Sequence, residues 1–121
     1  METKKTLVLG ASTNPARYSN MAIIKLVRHE QPVCAIGLRP GMVAGVEILT
    51  GKPALKQVHT ITMYINPKRQ PEYYDYLIDL KPKRVIFNPG TENPTFYEML
   101  KKEGVEVDPA CTLVLLASQQ Y

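Results

Sequence analysis

Leu7-Val8-Leu9-Gly10-Ala11-Ser12-Thr13-Asn14-Pro15 sets an apolar run against a glycine and a row of small polar residues, and Ala16-Arg17-Tyr18-Ser19-Asn20 then opens a segment with helical spacing. Such a join of strand to helix points the helix's first N–H groups, and its positive dipole end, at whatever lies above the turn. Phosphates bind readily there. Gly10, Ala11 and Ser12 are small enough for a ligand to approach the backbone, and Arg17 brings a positive charge beside them. The stretch speaks for a nucleotide-type ligand more clearly than for any reaction.

Outward from this stretch, strand and helix patterns alternate. A strand is expected at residues 6–10 and a helix at 19–30, with Ile23, Leu26 and Val27 as its inner face and Gln31-Pro32 as its end. Residues 33–37 read as a short buried strand. Residues 38–58 carry Pro40, Gly41, Gly45, Gly51 and Pro53 and read as an irregular crossover, with one short turn at 54–57. β-Branched residues predict a third strand at 59–65. Tyr73, Leu77 and Leu80 mark a second helix that ends before Pro82, and residues 84–88 form a fourth strand. Asn93 is a good N-cap and Pro94 suits the first helical position; Phe96, Met99 and Leu100 then face inward. Lys101 and Lys102 fall in the last turn and Gly104 closes this helix. Residues 105–107 make a fifth strand, and 110–121 fit a short helix better than an edge strand.

The alternation predicts a single α/β domain over residues 1–121. Its fold is a doubly wound, five-stranded parallel sheet in the order 3-2-1-4-5, with helices on both faces. Ligands of such sheets lie beyond the carboxyl ends of the strands, beside the first one. Here those ends are Gly10-Ala11-Ser12, Gly37-Leu38-Arg39, Ile65-Asn66-Pro67 and Asn88-Pro89-Gly90.

Composition narrows the classes of partner. With 45% hydrophobic and 21% charged residues, the chain is ordinary for a soluble globular protein. Fifteen basic residues against 11 acidic ones give +4, which favours an anionic small ligand, but they are scattered rather than gathered in the stripe of a nucleic-acid binder. No signal peptide is expected from Met1-Glu2-Thr3-Lys4-Lys5-Thr6, and the longest apolar run, from Leu113 to Ala117, is too short for a bilayer. Two distant cysteines, Cys34 and Cys111, make no disulfide framework, so the cytoplasm is the expected location.

A dinucleotide fingerprint needs three glycines, but Ser12 takes the second position and Pro15 the third. No acidic residue follows the second strand to hold a ribose. Arg39 stands there instead, either a solvated charge or the partner of a phosphorylated ribose. Asn66-Pro67 and Asn88-Pro89-Gly90 are tight turns by composition, and their shared position at strand ends also suits a shaped pocket. Tyr73, Tyr74 and Tyr76 read as helix packing rather than a stacking platform. The catalytic inventory is thin. His29 and His59 belong away from the ligand edge, no Cys/His group has metal spacing, and no glycine-flanked nucleophilic serine is present. Glu92 is either a base near the mouth or a solvated loop carboxylate, and Cys34 reads as a small core hydrophobe. Cys111 follows the fifth strand and is either structural or turned back towards the ligand edge.

Gly10-Ala11-Ser12-Thr13-Asn14-Pro15 with Ser19, Pro67 after the third strand, Asn88-Pro89-Gly90-Thr91-Glu92-Asn93, and Cys111 after the fifth strand together resemble the small coenzyme A-binding domain family. That family is similar to the nucleotide-binding domain of the succinyl-CoA synthetase α subunit. The resemblance runs from about residue 5 to residue 116. It implies a Rossmann-like fold and coenzyme A, or an acyl-CoA, as ligand, with the pyrophosphate over residues 10–13. Many members carry Asn-Pro-Lys after the second strand; Gly37-Leu38-Arg39-Pro40 keeps the basic character only. The synthetase's catalytic histidine has no counterpart, and no catalytic residue is assigned. The candidate binding residues are therefore Gly10, Ala11, Ser12, Thr13, Asn14, Pro15, Arg17, Ser19, Gly37, Arg39, Asn66, Pro67, Asn88, Gly90, Thr91 and Cys111. The expected function is CoA binding without chemistry, with a protein partner or a second copy as company. The alternatives are an NADP- or acyl-CoA-dependent enzyme, and a regulatory subunit that presents its ligand to another chain.

Overall fold

A computed structural model describes residues 3–121, so Met1 and Glu2, the start of the stretch expected to carry no signal peptide, lie outside the described residues. The central strand is β1 (Thr6–Ala11), followed by α1 (Tyr18–Arg28) and β2 (Val33–Gly37). A hairpin, β3 (Gly41–Val43) and β4 (Val46–Leu49), comes next, and then β5 (Thr60–Met63). A 3-10 turn at Gln70–Tyr73 runs into α2 (Tyr74–Asp79), and β6 (Arg84–Phe87), α3 (Pro94–Lys102), β7 (Glu106–Pro109) and α4 (Thr112–Ala117) complete the chain.

The α/β class, the mostly parallel sheet and the helical tail agree with the sequence, but the strand count and order do not. The sheet has seven strands in the order β3-β4-β2-β1-β5-β6-β7. The expected third strand, β5, pairs with β1 (Leu7↔Ile61) and not with β2. The place beside β2 belongs to β4, parallel to it through Ala35↔Ile48, inside the segment expected to be irregular. Ala44 (φ 49°) and Gly45 (φ 81°) both take left-handed backbone, which matches the twist of a two-residue hairpin and lets β3 fold back antiparallel to β4. No turn forms at 54–57.

Alternation along β1 sends Leu7 and Leu9 to one face and Val8 to the other. The first face packs with Ile61, Met63, Val85 and Phe87 against Leu77 of α2 and Phe96 and Leu100 of α3. The second packs with Ala35, Ile48 and Ile86 against Ile23 and Leu26 of α1 and Leu116 of α4. Each fully buried Leu or Ile contributes about 1.5–3 kcal/mol, so the two faces together dominate stability. Val27 does not join the inner face of α1: it is exposed, and Ala22 is buried instead. Asn93 caps α3 as expected, its Oδ1 accepting the Phe96 N–H at 3.0 Å, and Gly104 (φ 75°) follows the helix. Tyr74 stacks on Phe96 with ring centroids 4.4 Å apart, and its hydroxyl accepts from Asn93 Nδ2, so this tyrosine is packing.

Candidate functional site: an arginine-lined cleft at the carboxyl edge

Residues 12–17 bridge β1 and α1, and the loop is fastened to itself. Asn14 N–H donates to Ser12 Oγ (3.1 Å), Ala16 N–H to Asn14 Oδ1 (3.0 Å) and Arg17 N–H to the Asn14 carbonyl (3.0 Å). From below, the buried Asn20 donates to the Ser12 carbonyl at 2.9 Å. Gly10 makes the turn possible: its φ is +99°, and a Cβ there would lie 2.9 Å from Ile65 Cγ2. The β1–β2 register shifts at the same point, between Leu9 and Ala11. A Cβ on Gly37 would collide with the Ala11 carbonyl oxygen, so Gly37 serves the packing of the loop onto β2.

Above this loop opens a cleft of about 530 Å³. Its floor is Gly10, Ala11, Ser12, Thr13 and Asn14; Leu38 and three arginines, Arg17, Arg39 and Arg69, form its walls. They come from three places: Arg17 is the N-cap residue of α1, Arg39 lies just past β2, and Arg69 stands before the 3-10 turn. Arg69 Nη2 lies 3.5 Å from Glu72 Oε1, the one ion pair among the described residues. Arg17 and Arg39 have no such partner, and no acidic side chain lines the cleft. Guanidinium groups so placed bind phosphate strongly and in fixed geometry.

A second cavity of about 250 Å³ is lined by Tyr18, Tyr64, Asn88, Pro89, Cys111 and Leu113. The two share structure, since Tyr18 follows Arg17 and Gly10 lies against Tyr64. Asn88 holds the second cavity together. Its Nδ2 donates to Thr62 Oγ1 (2.7 Å) and the Met63 carbonyl (2.9 Å), and its Oδ1 accepts the Thr112 N–H (2.9 Å), fixing the ends of β5 and β6 to the start of α4. The half-buried Cys111 is the N-cap residue of α4 and lies on the wall of this cavity, at the ligand edge. The Tyr64 hydroxyl is enclosed beside the Thr62 and Thr112 hydroxyls but makes no hydrogen bond of good geometry, and burial, against the influence of those two neighbours, pushes its pKa up to about 12.

Of the residues singled out from the sequence, Gly10, Ala11, Ser12, Thr13, Asn14, Arg17 and Arg39 meet at the cleft, and Asn88 and Cys111 at the second cavity. The others line neither. Pro15 is on the exposed outside of the loop and Ser19 is buried in the first turn of α1. Asn66 turns its Oδ1 to the Lys68 N–H (2.8 Å), with Pro67 half-buried after it. Gly90 donates its N–H to Glu92 Oε1 (2.8 Å), which ties that carboxylate into the turn, and the buried Thr91 hydroxyl donates to the Asn88 carbonyl. His29 is the C-cap of α1 and His59 precedes β5, both at the opposite edge. Arg69, Tyr18, Tyr64 and Leu113 escape the sequence reading. Arg69 alone carried a signal, a basic residue just past the strand-end turn Asn66-Pro67.

Solved structures share this architecture. One described as an uncharacterized protein is 42% identical, with a TM-score of 0.97 and full coverage (100%) of both chains. A conserved hypothetical protein from Pyrococcus furiosus is 26% identical with a TM-score of 0.79, covering 92% of this chain and 97% of its own. A Thermus thermophilus protein at 21% identity shares the fold, with a TM-score of 0.85 over 98% of this chain and 91% of its own. Among curated proteins none matches. A family model described as a CoA binding domain matches residues 4–117, nearly the whole chain, and this protein belongs to that family.

Proposed function

We propose that this chain, acting as one binding unit, binds coenzyme A, free or acylated, at the carboxyl edge of its sheet, and that its work is binding rather than chemistry. The observation that carries this reading is the convergence of Arg17, Arg39 and Arg69 on a cleft whose floor is the Gly10-to-Asn14 backbone. CoA offers phosphate at two separated places, a pyrophosphate and a ribose 3′-phosphate, and so suits cations spread around a cleft. The pyrophosphate belongs over residues 10–13, where small side chains leave the backbone open, and the 3′-phosphate belongs with Arg39 at the end of β2. The second cavity, reached past Tyr18, then takes part of the uncharged arm. NAD fits less well, because Ser12 and Pro15 stand where two fingerprint glycines are needed and no carboxylate awaits the ribose. The unpaired cysteines suit a reducing compartment such as the cytoplasm.

Titration calorimetry with CoA, NAD and NADP tests the reading. CoA is expected to bind more tightly than either dinucleotide, and NAD or NADP of equal affinity overturns the proposal in favour of a nucleotide-dependent enzyme. Ser12→Trp fills the phosphate approach with an indole; CoA binding is lost while the melting temperature stays close to that of the unaltered chain.

A further inference from the structure

Arg69 differs from the other two cleft arginines in being partnered. It enters from the β5 side of β1, whereas Arg39 enters from the β2 side, so the two flank the loop from opposite directions. Its backbone is well fixed. The next residue, Gln70, is fully buried, donates to the Ile65 carbonyl (3.1 Å) and the Thr91 carbonyl (2.8 Å), and accepts from Asn93 Nδ2 (2.8 Å). The side chain is freer: Arg69 is 41% exposed and Glu72 56%, with 3.5 Å between nitrogen and oxygen. A pair this long and this wet is weak, and a phosphate presenting two charged oxygens to the same guanidinium outcompetes one carboxylate oxygen.

We infer that Arg69 is a phosphate-binding residue on the pyrophosphate side of the cleft, and that Glu72 is its built-in competitor, holding the guanidinium at the rim until a ligand displaces it. This rests on the CoA reading for the identity of the ligand, but the chemistry asked of Arg69 is only that of a pyrophosphate group. Glu72 then sets the affinity without touching the ligand, because every binding event must first break its contact with Arg69.

The test is a two-residue cycle on the full chain, read by titration calorimetry with CoA, dephospho-CoA and, separately, inorganic pyrophosphate. Arg69→Gln is expected to weaken CoA about tenfold, and dephospho-CoA by the same factor, since the group it holds is common to both. Glu72→Gln is expected to tighten binding about two- to fivefold in the unaltered background and to change nothing once Arg69 is Gln. Both positions are exposed, so the variants are expected to fold. An Arg69→Gln effect below twofold on CoA and on pyrophosphate alike overturns the inference. So does a Glu72→Gln gain that survives in the Arg69→Gln background, because the carboxylate would then act only through its general field. If CoA does not bind the unaltered chain while the cycle with pyrophosphate shows the coupling, the CoA reading fails and this one stands. If CoA binds without regard to Arg69, the reverse holds.

Discussion

Arginine appears at both edges of the sheet in opposite conditions. At the amino edge Arg84 is buried, its guanidinium lies 4.5 Å from the centre of the Tyr121 ring, and its Nε donates to Thr60 Oγ1 at 3.2 Å. Tyr121 is tied in turn, its hydroxyl paired with Thr6 and its carbonyl accepting from Lys4 Nζ. At the carboxyl edge Arg17 and Arg39 make no ion pair and Arg69 makes one long one. Arg84 is enclosed by the protein and met by the Tyr121 ring and Thr60, although its Nη2 has no hydrogen-bond partner, whereas the charges at the other edge line an open cleft. What marks a binding arginine in this fold is therefore its place on the wall of an open concave site, and not the residue type.

The largest expected effect comes from breaking the enclosed edge. Arg84→Ala removes a desolvated cation–ring contact and a hydrogen bond to Thr60, at a cost of about 3 kcal/mol in unfolding free energy. Urea denaturation measures it. CoA affinity should stay within a factor of two, because Arg84 opens β6 at the opposite end of the strands from the cleft. A variant that keeps its stability but loses ligand would reverse the assignment of the two edges.

Arg39→Ala is the converse, with an unchanged denaturation midpoint and a weaker ligand. Loss of a charge-assisted contact to the 3′-phosphate is worth about 2 kcal/mol, or roughly thirtyfold in affinity. The informative measurement is the ratio between CoA and dephospho-CoA. That ratio should collapse towards one in Arg39→Ala, and if the variant still prefers CoA by the original factor, Arg39 is a solvated charge.

How far these edges can be read from sequence follows from where each signal is stored. The turn after β1 is legible because Gly10 and the small residues behind it answer a local demand, as do Asn93, Pro94 and Gly104 around α3. The β3–β4 hairpin is not, since its strands are three and four residues long and its turn is Ala44-Gly45 rather than the Asn-Gly or Asp-Gly pair that announces such turns. With no strand expected there, the sequence places β5 beside β2, where the structure has β4, and the strand order changes with it. The cleft floor was legible for the same local reason, while its third arginine was not. Arg69 faces the ligand edge only because β5 lies beside β1, a pairing across more than fifty residues of chain. Tyr64 and Leu113 belong to the second cavity through that same long-range assembly.

The two edges also differ in how they treat a buried tyrosine, and this gives the smallest predicted effect. Tyr121 at the amino edge has its hydroxyl hydrogen-bonded to Thr6, and its pKa is raised by burial against the opposing influence of Thr6 and Arg84. Tyr64 at the carboxyl edge makes no hydrogen bond of good geometry, and burial, opposed by the nearby Thr62 and Thr112 hydroxyls, takes its pKa from 10.0 to about 12. A folded-state value above the unfolded one means that the native protein holds this proton more tightly. The contribution to stability is complete below pH 10 and is lost as the pH rises towards 12. By pH 11 the loss attributable to Tyr64 is about 1.4 kcal/mol. Tyr64→Phe should therefore stay close to the unaltered chain at pH 7, where a poorly bonded hydroxyl gives little, and fall less steeply between pH 10 and 11. Tyr121→Phe should behave differently, costing about 1 kcal/mol already at pH 7 because a made hydrogen bond is removed. Equal losses for the two variants at neutral pH would mean that the Thr62 and Thr112 hydroxyls hold Tyr64 as firmly as Thr6 holds Tyr121.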